Sequence, residues 1–475
     1  MRFSFISKLV VRTFLFVVIT IPVMLAQDGR FIGGWEGKLA IPTGSLRIVL
    51  HITQPSPDKF VSTMDSPDQG AFGLKVDETV VTGNSISLTM KMLQGNYLGT
   101  IKPDGKTIDG TLTQAGRTFA LMLNKNDKIK EIKRPQTPKP PFPYTEEEIL
   151  IETPNPGVKL SGTLTLPKDG SNFPVVVFVT GSGPQNRDEE IFAHRPFFVI
   201  ADYLARYGIA SLRYDDRGVG KSKGSFAGST TLDFAEDAMS VVKYLASRKE
   251  VNSSKIGIVG HSEGGLIAPI VAASNSDIGF IVLLAGPGID GASLLMKQSA
   301  AIMNAARAPK EEIAKNAELN SQVYRIINEM KDSVEVSKKL DSLAEAYVST
   351  IDTSDKSKPE NNLLRLKMIM KQSLSPWFRM FLKLNPQDYL TRVACPVLAL
   401  NGTKDLQVPY EDNLKAIESS LKSAGNLNYK VKALQGLNHL FQTSQTGLIS
   451  EYASIEETFS PVALEEIKSF IMGLK

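Results

Sequence analysis

The stretch over 256–273 constrains this chain more than any other part of the sequence. A short apolar run is followed by Gly260, Ser262 and Gly264 in the spacing G-x-S-x-G, and then by a segment rich in Ala, Ile and Val. This order predicts a strand, a sharp turn and a helix that follow each other without intervening loop residues. Glycines two before and two after the serine prevent side-chain collisions at such a turn, which is the pattern of a nucleophile elbow. The helix N-terminus behind Ser262 would favour developing negative charge.

A glycine-rich turn between an ordinary strand and helix is the alternative, so the rest of the chain must supply a base and an acid. Catalysis by serine needs a histidine, which in turn needs an orienting carboxylate. His439 is the one histidine that follows the elbow, and it lies on a predicted loop after the last strand. Asp405 is the first carboxylate after the strand predicted at 396–400. Asp412 is the alternative acid, but it starts the next helix, where the helix dipole already explains it.

An oxyanion hole requires two backbone N–H groups. The residue after the nucleophile, Glu263, is expected to supply one. The loop after the strand predicted at 174–179 is expected to supply the other, with Ser182 as the first choice and Gly183 as the second. Glycines in this loop would let the backbone approach a substrate.

Three further features are predicted to be structural. His51 lies on the polar face of its strand and is expected to be exposed. His261 is expected to pack against its surroundings rather than to act in catalysis. The carboxylates of Asp215 and Asp216 are expected to pair with Arg217 and so to hold their own turn.

Composition limits the class of protein. A chain of 475 residues is long enough for two or three domains, and contents of 42% hydrophobic and 22% charged residues are those of a soluble globular protein. The single cysteine, Cys395, permits no internal disulfide or Cys-based zinc site and is expected to be a small buried hydrophobe. Four histidines leave little material for a metal site. The net charge falls from +4 to +1 without the three cations of the leader, so no nucleic-acid partner is indicated.

Residues 1–26 have the pattern of a secretory signal peptide. Arg2, Lys8 and Arg12 precede an apolar run over 13–25, and Ala26 is a plausible cleavage point. We therefore expect an exported protein of the bacterial periplasm or the medium, with no stable membrane insertion after cleavage. The alternative is a retained membrane anchor, for which the apolar run is short.

The remaining chain divides by pattern into a β-rich region, a linker and an α/β region. Residues 27–133 carry alternating apolar positions and hairpin turns, which predict a small antiparallel β domain. Residues 134–147 are rich in proline and predict a semi-rigid connector. Residues 148–475 alternate strands with helices, and the middle strands are continuous apolar runs typical of a mostly parallel sheet with helices on both faces.

Amphipathic helices interrupt the α/β pattern over about 290–385. Helices are predicted at 294–307, 310–329, 334–348 and 362–374, with a charged loop at 352–361. An all-helical insertion in such a domain is best interpreted as a cap. Plain core packing is the first interpretation of Trp377 and Phe378 at its end, and a substrate-pocket wall is the alternative.

Five motifs together resemble the α/β-hydrolase fold, and within it bacterial esterases with a domain of the serine-aminopeptidase or monoacylglycerol-lipase type. The resemblance covers about 148–475 and rests on Thr180-Gly181-Ser182-Gly183-Pro184, Tyr214-Asp215-Asp216-Arg217-Gly218, Gly260-His261-Ser262-Glu263-Gly264-Gly265, Gly402-Thr403-Lys404-Asp405 and Asn438-His439. Some exported esterases of this type carry an N-terminal appendage that the β-rich region resembles. Thr180 departs from the commoner histidine before the oxyanion glycine, which leaves the second donor open.

The resemblance and the residues together predict a serine hydrolase that cleaves carboxylic esters with a small or medium acyl chain and needs no cofactor. Amide hydrolysis of the aminopeptidase type and acyl transfer use the same chemistry and stay open. A binding protein with a degenerate hydrolase scaffold is the alternative from another class. The expected partner is a small-molecule ester, and whether the β domain contacts the ligand or the cap is left open.

Overall fold

The computed structural model describes residues 29–474, apart from 42–43, 58, 68–70, 92, 115, 127, 129–132, 331 and 351–362. The predicted signal peptide and the charged loop predicted at 352–361 lie outside the described residues. One compact unit is formed by the described residues of 1–66 and 74–130, and a second by those of 67–73 and 131–475. No helix in the described part of the chain is long and apolar enough to cross a membrane.

The first unit is an antiparallel sheet of ten strands that follows a short 3-10 helix, Gly29–Phe31. Its spatial order is β4-β3-β2-β1-β10-β8-β7-β6-β5, and β9 pairs with β8. The strands are β1 (Gly33–Ile41), β2 (Gly44–Ser56), β3 (Lys59–Ser66), β4 (Ala71–Lys75), β5 (Glu78–Thr82), β6 (Ser85–Met90), β7 (Gly95–Ile101), β8 (Thr107–Gln114), β9 (Arg117–Ala120) and β10 (Leu123–Lys125).

The predicted alternation places the core of this unit correctly. Ile48, Leu50 and Ile52 are buried on one face of β2, where they pack with Trp35 and other apolar side chains. The prediction for His51 was wrong, because its imidazole is only 14% exposed and lies 2.7 Å from Asp65 Oδ2. The carboxylate of Asp65 on the neighbouring strand β3 provides a polar partner for the partly covered imidazole. This contact depends on the pairing of β2 with β3, which the sequence does not reveal.

The second unit contains a sheet of eight strands in the order β11-β12-β14-β13-β15-β16-β17-β18. The β11, β12 and β14 strands pair antiparallel, and the remaining pairs are parallel. The strands are β11 (Tyr144–Glu152), β12 (Lys159–Pro167), β13 (Phe173–Val179), β14 (Ala210–Tyr214), β15 (Val251–His261), β16 (Phe280–Leu284), β17 (Val397–Gly402) and β18 (Tyr429–Leu434).

Twelve helices accompany this sheet among the described residues. They are α1 (Pro196–Ala205), α2 (Thr231–Ala246), α3 (Glu263–Ser274), α4 (Gly291–Ala305), α5 (Lys310–Glu329), α6 (Ser333–Ser349), α7 (Leu363–Gln372), α8 (Pro376–Lys383), α9 (Gln387–Leu390), α10 (Tyr410–Ser423), α11 (Ile449–Tyr452) and α12 (Pro461–Met472). Most predicted elements agree to within two residues, but β15, β11 and α4 begin five, four and three residues before their predicted starts at 256, 148 and 294.

Helices cover both faces of the central strands, which explains their continuous apolar sequences. Val175 and Val177 of β13 pack with α2, α3 and α10, whereas the intervening Val176 and the following Phe178 pack with α1 and α12. Successive side chains of a strand point to opposite faces, so a strand covered on both sides needs apolar residues at every position. The predicted α/β class with an antiparallel N-terminal β region is confirmed.

The helical insertion between β16 and β17 has a core of its own. Apolar side chains from α5, α6, α7 and α8 form it, among them Val323, Val336, Leu340 and Met370. Their helical spacing puts these residues on one face of each helix, as an amphipathic pattern requires.

The turn between β15 and α3 depends on close approaches of backbone. A methyl group on Gly260 would lie 2.0 Å from the carbonyl oxygen of Gly264, and one on Gly264 would lie 2.1 Å from that of Val179. Each distance is far inside van der Waals contact with an atom that cannot swing away. The G-x-S-x-G spacing is therefore a packing requirement of this turn.

We predict that Gly264→Ala lowers the free energy of unfolding by about 3 kcal/mol, because the new methyl group must push two backbone segments apart. Urea unfolding followed by circular dichroism measures the change. Gly29→Ala is the control, since its new methyl would be 3.8 Å from the nearest atom, Cδ1 of Ile32, and it should change stability by less than about 0.5 kcal/mol. Superimposable unfolding curves for Gly264→Ala and the unchanged protein would contradict this account of the turn.

Candidate active site

Ser262 is the single residue between the end of β15 and the start of α3. Its backbone angles are φ 53° and ψ −115°, a conformation that residues with a side chain rarely adopt. The Ser262 N–H donates to the carbonyl oxygen of Leu284 on the neighbouring strand at 2.8 Å. The sheet thus holds the serine in a strained turn at the carboxyl end of the strands.

His439 and Asp405 form a buried pair near this turn. His439 Nδ1 lies 2.8 Å from Asp405 Oδ2, and both side chains are at most 5% exposed. The other carboxylate oxygen of Asp405 accepts the N–H groups of Gln407 and Val408 at 2.8 and 2.9 Å. Because the carboxylate only accepts, Nδ1 of the imidazole carries the hydrogen and Nε2 keeps a lone pair.

The alternative acid, Asp412, is in a different setting. Its carboxylate is half exposed and pairs with Lys297 at 2.8 Å. The structure therefore brings Asp405, and not Asp412, to His439.

A cavity of about 270 Å³ brings the predicted site residues together. Ser182, Ser262, Glu263, Trp377 and His439 all line it. A larger open groove of about 560 Å³ lies on the first unit, but its described lining holds a single carboxylate, Asp109, and no histidine. The cavity at Ser262 is therefore the candidate active site.

The loop after β13 borders this cavity through Gly181 and Ser182. The N–H of Gly181 is already taken, since it donates to Glu189 Oε1 at 2.6 Å. Ser182 lines the cavity at Ser262. Gly183, the second predicted choice, has a φ of +94° and borders a separate small void beside Phe226. Of the two residues predicted as the second oxyanion donor, Ser182 therefore borders the cavity and Gly183 does not, while Glu263 lies in the first turn of α3.

Trp377 and Phe378 lie in different environments. Trp377 lines the cavity and stacks on Phe381 at 5.2 Å between ring centroids. Phe378 does not belong to the cavity lining and packs in the core of the insertion, with its ring 6.0 Å from that of Tyr324. Consecutive helical residues point about 100° apart, whereas residues four apart share a face. Phe378 therefore follows the core interpretation and Trp377 the pocket-wall one, and Phe381, which the i, i+4 spacing from Trp377 could have indicated, is the second aromatic side chain of the cavity wall.

The side chain of Glu263 connects three parts of the second unit. Its Oε1 accepts the hydroxyl hydrogen of Thr231 at 2.6 Å and the indole N–H of Trp377 at 2.7 Å. Burial raises the pKa of Glu263 above its ordinary value, although hydrogen bonds from Thr231, Trp377 and Ser182 oppose the shift. One carboxyl group thus joins the helix behind the nucleophile to α2 and to the insertion.

The charged side chains of the turn after β14 bind residues outside the turn. The predicted pairing of Asp215 and Asp216 with Arg217 was therefore wrong. Asp215 binds Arg187 at 2.9 Å, and Arg217 binds Asp237 of α2 at 2.7 Å. Asp216 accepts the Thr180 hydroxyl and the Gln185 N–H, both at 2.9 Å. Burial raises the pKa of Asp216 to about 8, against the effect of these two hydrogen bonds. These contacts tie the turn to the oxyanion loop and to α2.

His261 and Glu189 were not identified as site residues from the sequence. Both line the cavity, and His261 Nδ1 lies 2.9 Å from Glu189 Oε1. His261 is buried as expected, but with polar partners rather than by apolar packing alone. The position of His261 directly before Ser262 could have indicated a site residue. Glu189 lies in a loop without a recognisable motif, so the sequence offered no such indication.

Cys395 packs against the core of the second unit, and burial raises the pKa of its thiol to about 12. The predicted small hydrophobe is therefore partly rather than fully buried. No group of three or more His, Cys, Asp or Glu side chains with the arrangement of a metal site occurs within the described ranges.

Comparisons with known proteins give one matching family and several similar esterases. The sequence model of the family described as serine aminopeptidase, S33, matches residues 195–443. The curated esterase EstD of Thermotoga maritima is 26% identical over 347 residues, which cover 72% of this chain and 71% of that protein. Among solved structures, Est1E of Butyrivibrio proteoclasticus is 19% identical, with a TM-score of 0.38 over 68% of this chain and 97% of its own. The Pyrococcus furiosus esterase Pf2001 is 16% identical, with a TM-score of 0.43 over 73% of this chain and 98% of its own.

The family match includes Ser262, Asp405 and His439 and spans more than half of the chain. Together with the sheet, the elbow and the buried acid–histidine pair, it identifies the protein as an α/β-hydrolase of the serine aminopeptidase S33 family.

Proposed function

We propose that this protein hydrolyses carboxylic esters through an acyl-enzyme formed on Ser262. The observation that carries the proposal is the strained Ser262 in one cavity with the buried His439–Asp405 pair. His439 Nε2 takes the hydroxyl proton as the Ser262 oxygen attacks the ester carbonyl. Asp405 keeps the hydrogen on Nδ1 and stabilises the imidazolium that forms. The amides of Glu263 and Ser182 stabilise the negative oxygen of the tetrahedral intermediate.

Collapse of this intermediate breaks the ester C–O bond. His439 gives its proton to the leaving alcohol, and the acyl group stays on Ser262. Water then attacks the acyl-enzyme while His439 takes a proton from it, and the carboxylic acid leaves as Ser262 regains its hydrogen.

The cavity lining favours an uncharged acyl group of small or medium length. Leu294, Leu295, Trp377, Phe381 and Leu440 supply apolar surface within a volume of about 270 Å³. Four of these side chains come from α4 and α8, so we propose that the helical insertion is a cap that sets the acyl preference. The similarity to esterase EstD supports an ester as the substrate class.

We expect Ser262→Ala to lower kcat for p-nitrophenyl acetate on the order of 10⁶-fold, because the nucleophile is removed. We expect Asp405→Asn to lower it on the order of 10⁴-fold, because the asparagine amide favours the wrong histidine tautomer. Stopped-flow or steady-state release of p-nitrophenol measures both changes, and labelling with a fluorophosphonate probe reports directly on Ser262.

Asp412→Asn is the matched control for Asp405→Asn. The Asp412 carboxylate binds Lys297 at the surface, so this substitution should leave kcat within about twofold of the unchanged protein. Substantial turnover in Ser262→Ala would contradict the acyl-enzyme. Failure of the unchanged protein to react with the probe would favour the binding-protein alternative.

We expect Trp377→Ala to shift the acyl preference toward longer chains. Its removal enlarges the cavity, and one methylene in an apolar pocket is worth about 10-fold or more in specificity. The measurement is the ratio of kcat/KM for p-nitrophenyl octanoate to that for the acetate, which should rise about 10-fold. Phe378→Ala is the control, because Phe378 packs in the core of the insertion; equal shifts in both variants would argue against Trp377 as the acyl wall.

Amide hydrolysis is a second candidate, favoured by the description of the matching family as serine aminopeptidases. Aminoacyl p-nitroanilides assayed beside the esters compare the two activities. Partitioning of the acyl group to an added alcohol in the same assays would indicate acyl transfer.

We also propose that the protein is exported, on the basis of the signal-peptide pattern in residues 1–26. N-terminal sequencing of the protein recovered from the periplasm or medium tests this. Recovery of the protein in the cytoplasm alone would contradict export, and a retained Met1 on exported protein would favour the membrane-anchor alternative.

A further inference from the structure

Both ring nitrogens of His261 face hydrogen-bond acceptors. Nδ1 lies 2.9 Å from Glu189 Oε1, and Nε2 lies 2.9 Å from the backbone carbonyl oxygen of His439. A neutral imidazole carries one N–H, whereas both contacts require a donor on the histidine when Glu189 is ionised. The geometry is therefore that of an imidazolium paired with a carboxylate.

The charge balance of this pair agrees with the geometry. The His261 and Glu189 side chains are only 8% and 5% exposed. Burial by itself lowers the pKa of His261, but the charge and hydrogen bond of Glu189 and the His439 carbonyl raise it overall above the ordinary value. A buried ion pair persists where its partners also satisfy its remaining hydrogen bonds, as they do here.

The other end of the pair holds the oxyanion loop. Glu189 Oε1, the atom that binds His261, also accepts the N–H of Gly181 at 2.6 Å. Ser182, whose amide is the proposed second oxyanion donor, is the next residue. One carboxylate oxygen thus sits between the loop that carries the oxyanion donor and the histidine of the elbow.

The packing around this oxygen leaves little freedom. A methyl group on Gly181 would lie 3.2 Å from both Glu189 Oε1 and Ser262 Cβ. Glu189 itself has a φ of +51°, a strained conformation for a residue with a long side chain. The His261 and His439 rings have centroids 4.7 Å apart. Small displacements of the Glu189–His261 pair would therefore move Ser262, His439 and the loop that carries the Ser182 amide.

We propose that Glu189 and His261 are positioning residues, forming a buried ion pair that holds the oxyanion loop and the His439 loop in register around Ser262. The chain of contacts runs from the Gly181 amide through Glu189 and His261 to the His439 carbonyl. Asp405 orients the His439 ring, while His261 fixes the backbone that carries it. This proposal rests on the proposed ester hydrolysis.

The test is the kinetics of Glu189→Gln, His261→Gln and the double variant on p-nitrophenyl acetate. Active sites are counted by fluorophosphonate titration, so that kcat refers only to folded, reactive enzyme. We expect kcat to fall about 10²-fold in each single variant with KM within about twofold, because misplacement by about 1 Å costs a rate factor of that size. The double variant should lose no more than either single one, as expected for residues that act as a unit.

Glu190→Gln is the matched control. It neutralises the adjacent carboxylate, whose side chain is 44% exposed and 3.9 Å from Arg195, and it should leave kcat unchanged. A purely structural role would reduce the number of titratable sites and leave kcat per site at its original value, which would overturn the proposal. His261→Gln provides the same test if Glu189→Gln does not fold. Absence of Ser262-dependent turnover in the unchanged protein would instead refute the proposed function itself.

Discussion

The close contact of backbones around Ser262 is the constraint on which the rest of the site depends. Gly260 and Gly264 have no room for a methyl group, and Ser262 occupies a strained conformation between β15 and α3. This strain is maintained because neighbouring strands and the α3 backbone surround the turn. The hydroxyl is thereby presented at the carboxyl edge of the sheet, where the loops after β13, β17 and β18 can reach it.

Buried carboxylates fix those loops. Asp405 orients His439, Glu189 holds the Gly181 amide and His261, Asp216 holds Thr180 and Gln185, and Glu263 binds Thr231 and Trp377. In a low-dielectric interior, a satisfied polar group is strongly directional and an unsatisfied one is costly. Each loop near Ser262 is therefore held by a polar contact with a defined geometry, which suits a site that must place N–H donors accurately.

The helical insertion contributes to the wall of the cavity and also contacts the residue beside the nucleophile. Its helices pack on one another through their own core, and Trp377 and Phe381 face the cavity. The indole N–H of Trp377 bonds to Glu263 beside the nucleophile. Changes in the insertion can therefore alter the cavity wall without touching the Asp405–His439 pair.

Local pattern alone determined the α/β class, the elbow at Ser262, and the choice of Asp405 and His439, because strand and helix periodicity, glycine spacing and chain order are written into the sequence. Tertiary structure alone decided which polar side chains from distant segments bind each other. The pairs are His51 with Asp65, Arg217 with Asp237, and Glu189 with His261. It also separated Trp377 from Phe378, and it placed Ser182 rather than Gly183 at the cavity. The physical reason is that periodicity reports which face of an element is apolar, whereas polar contacts between distant segments depend on positions that only the assembled sheet and its loops define.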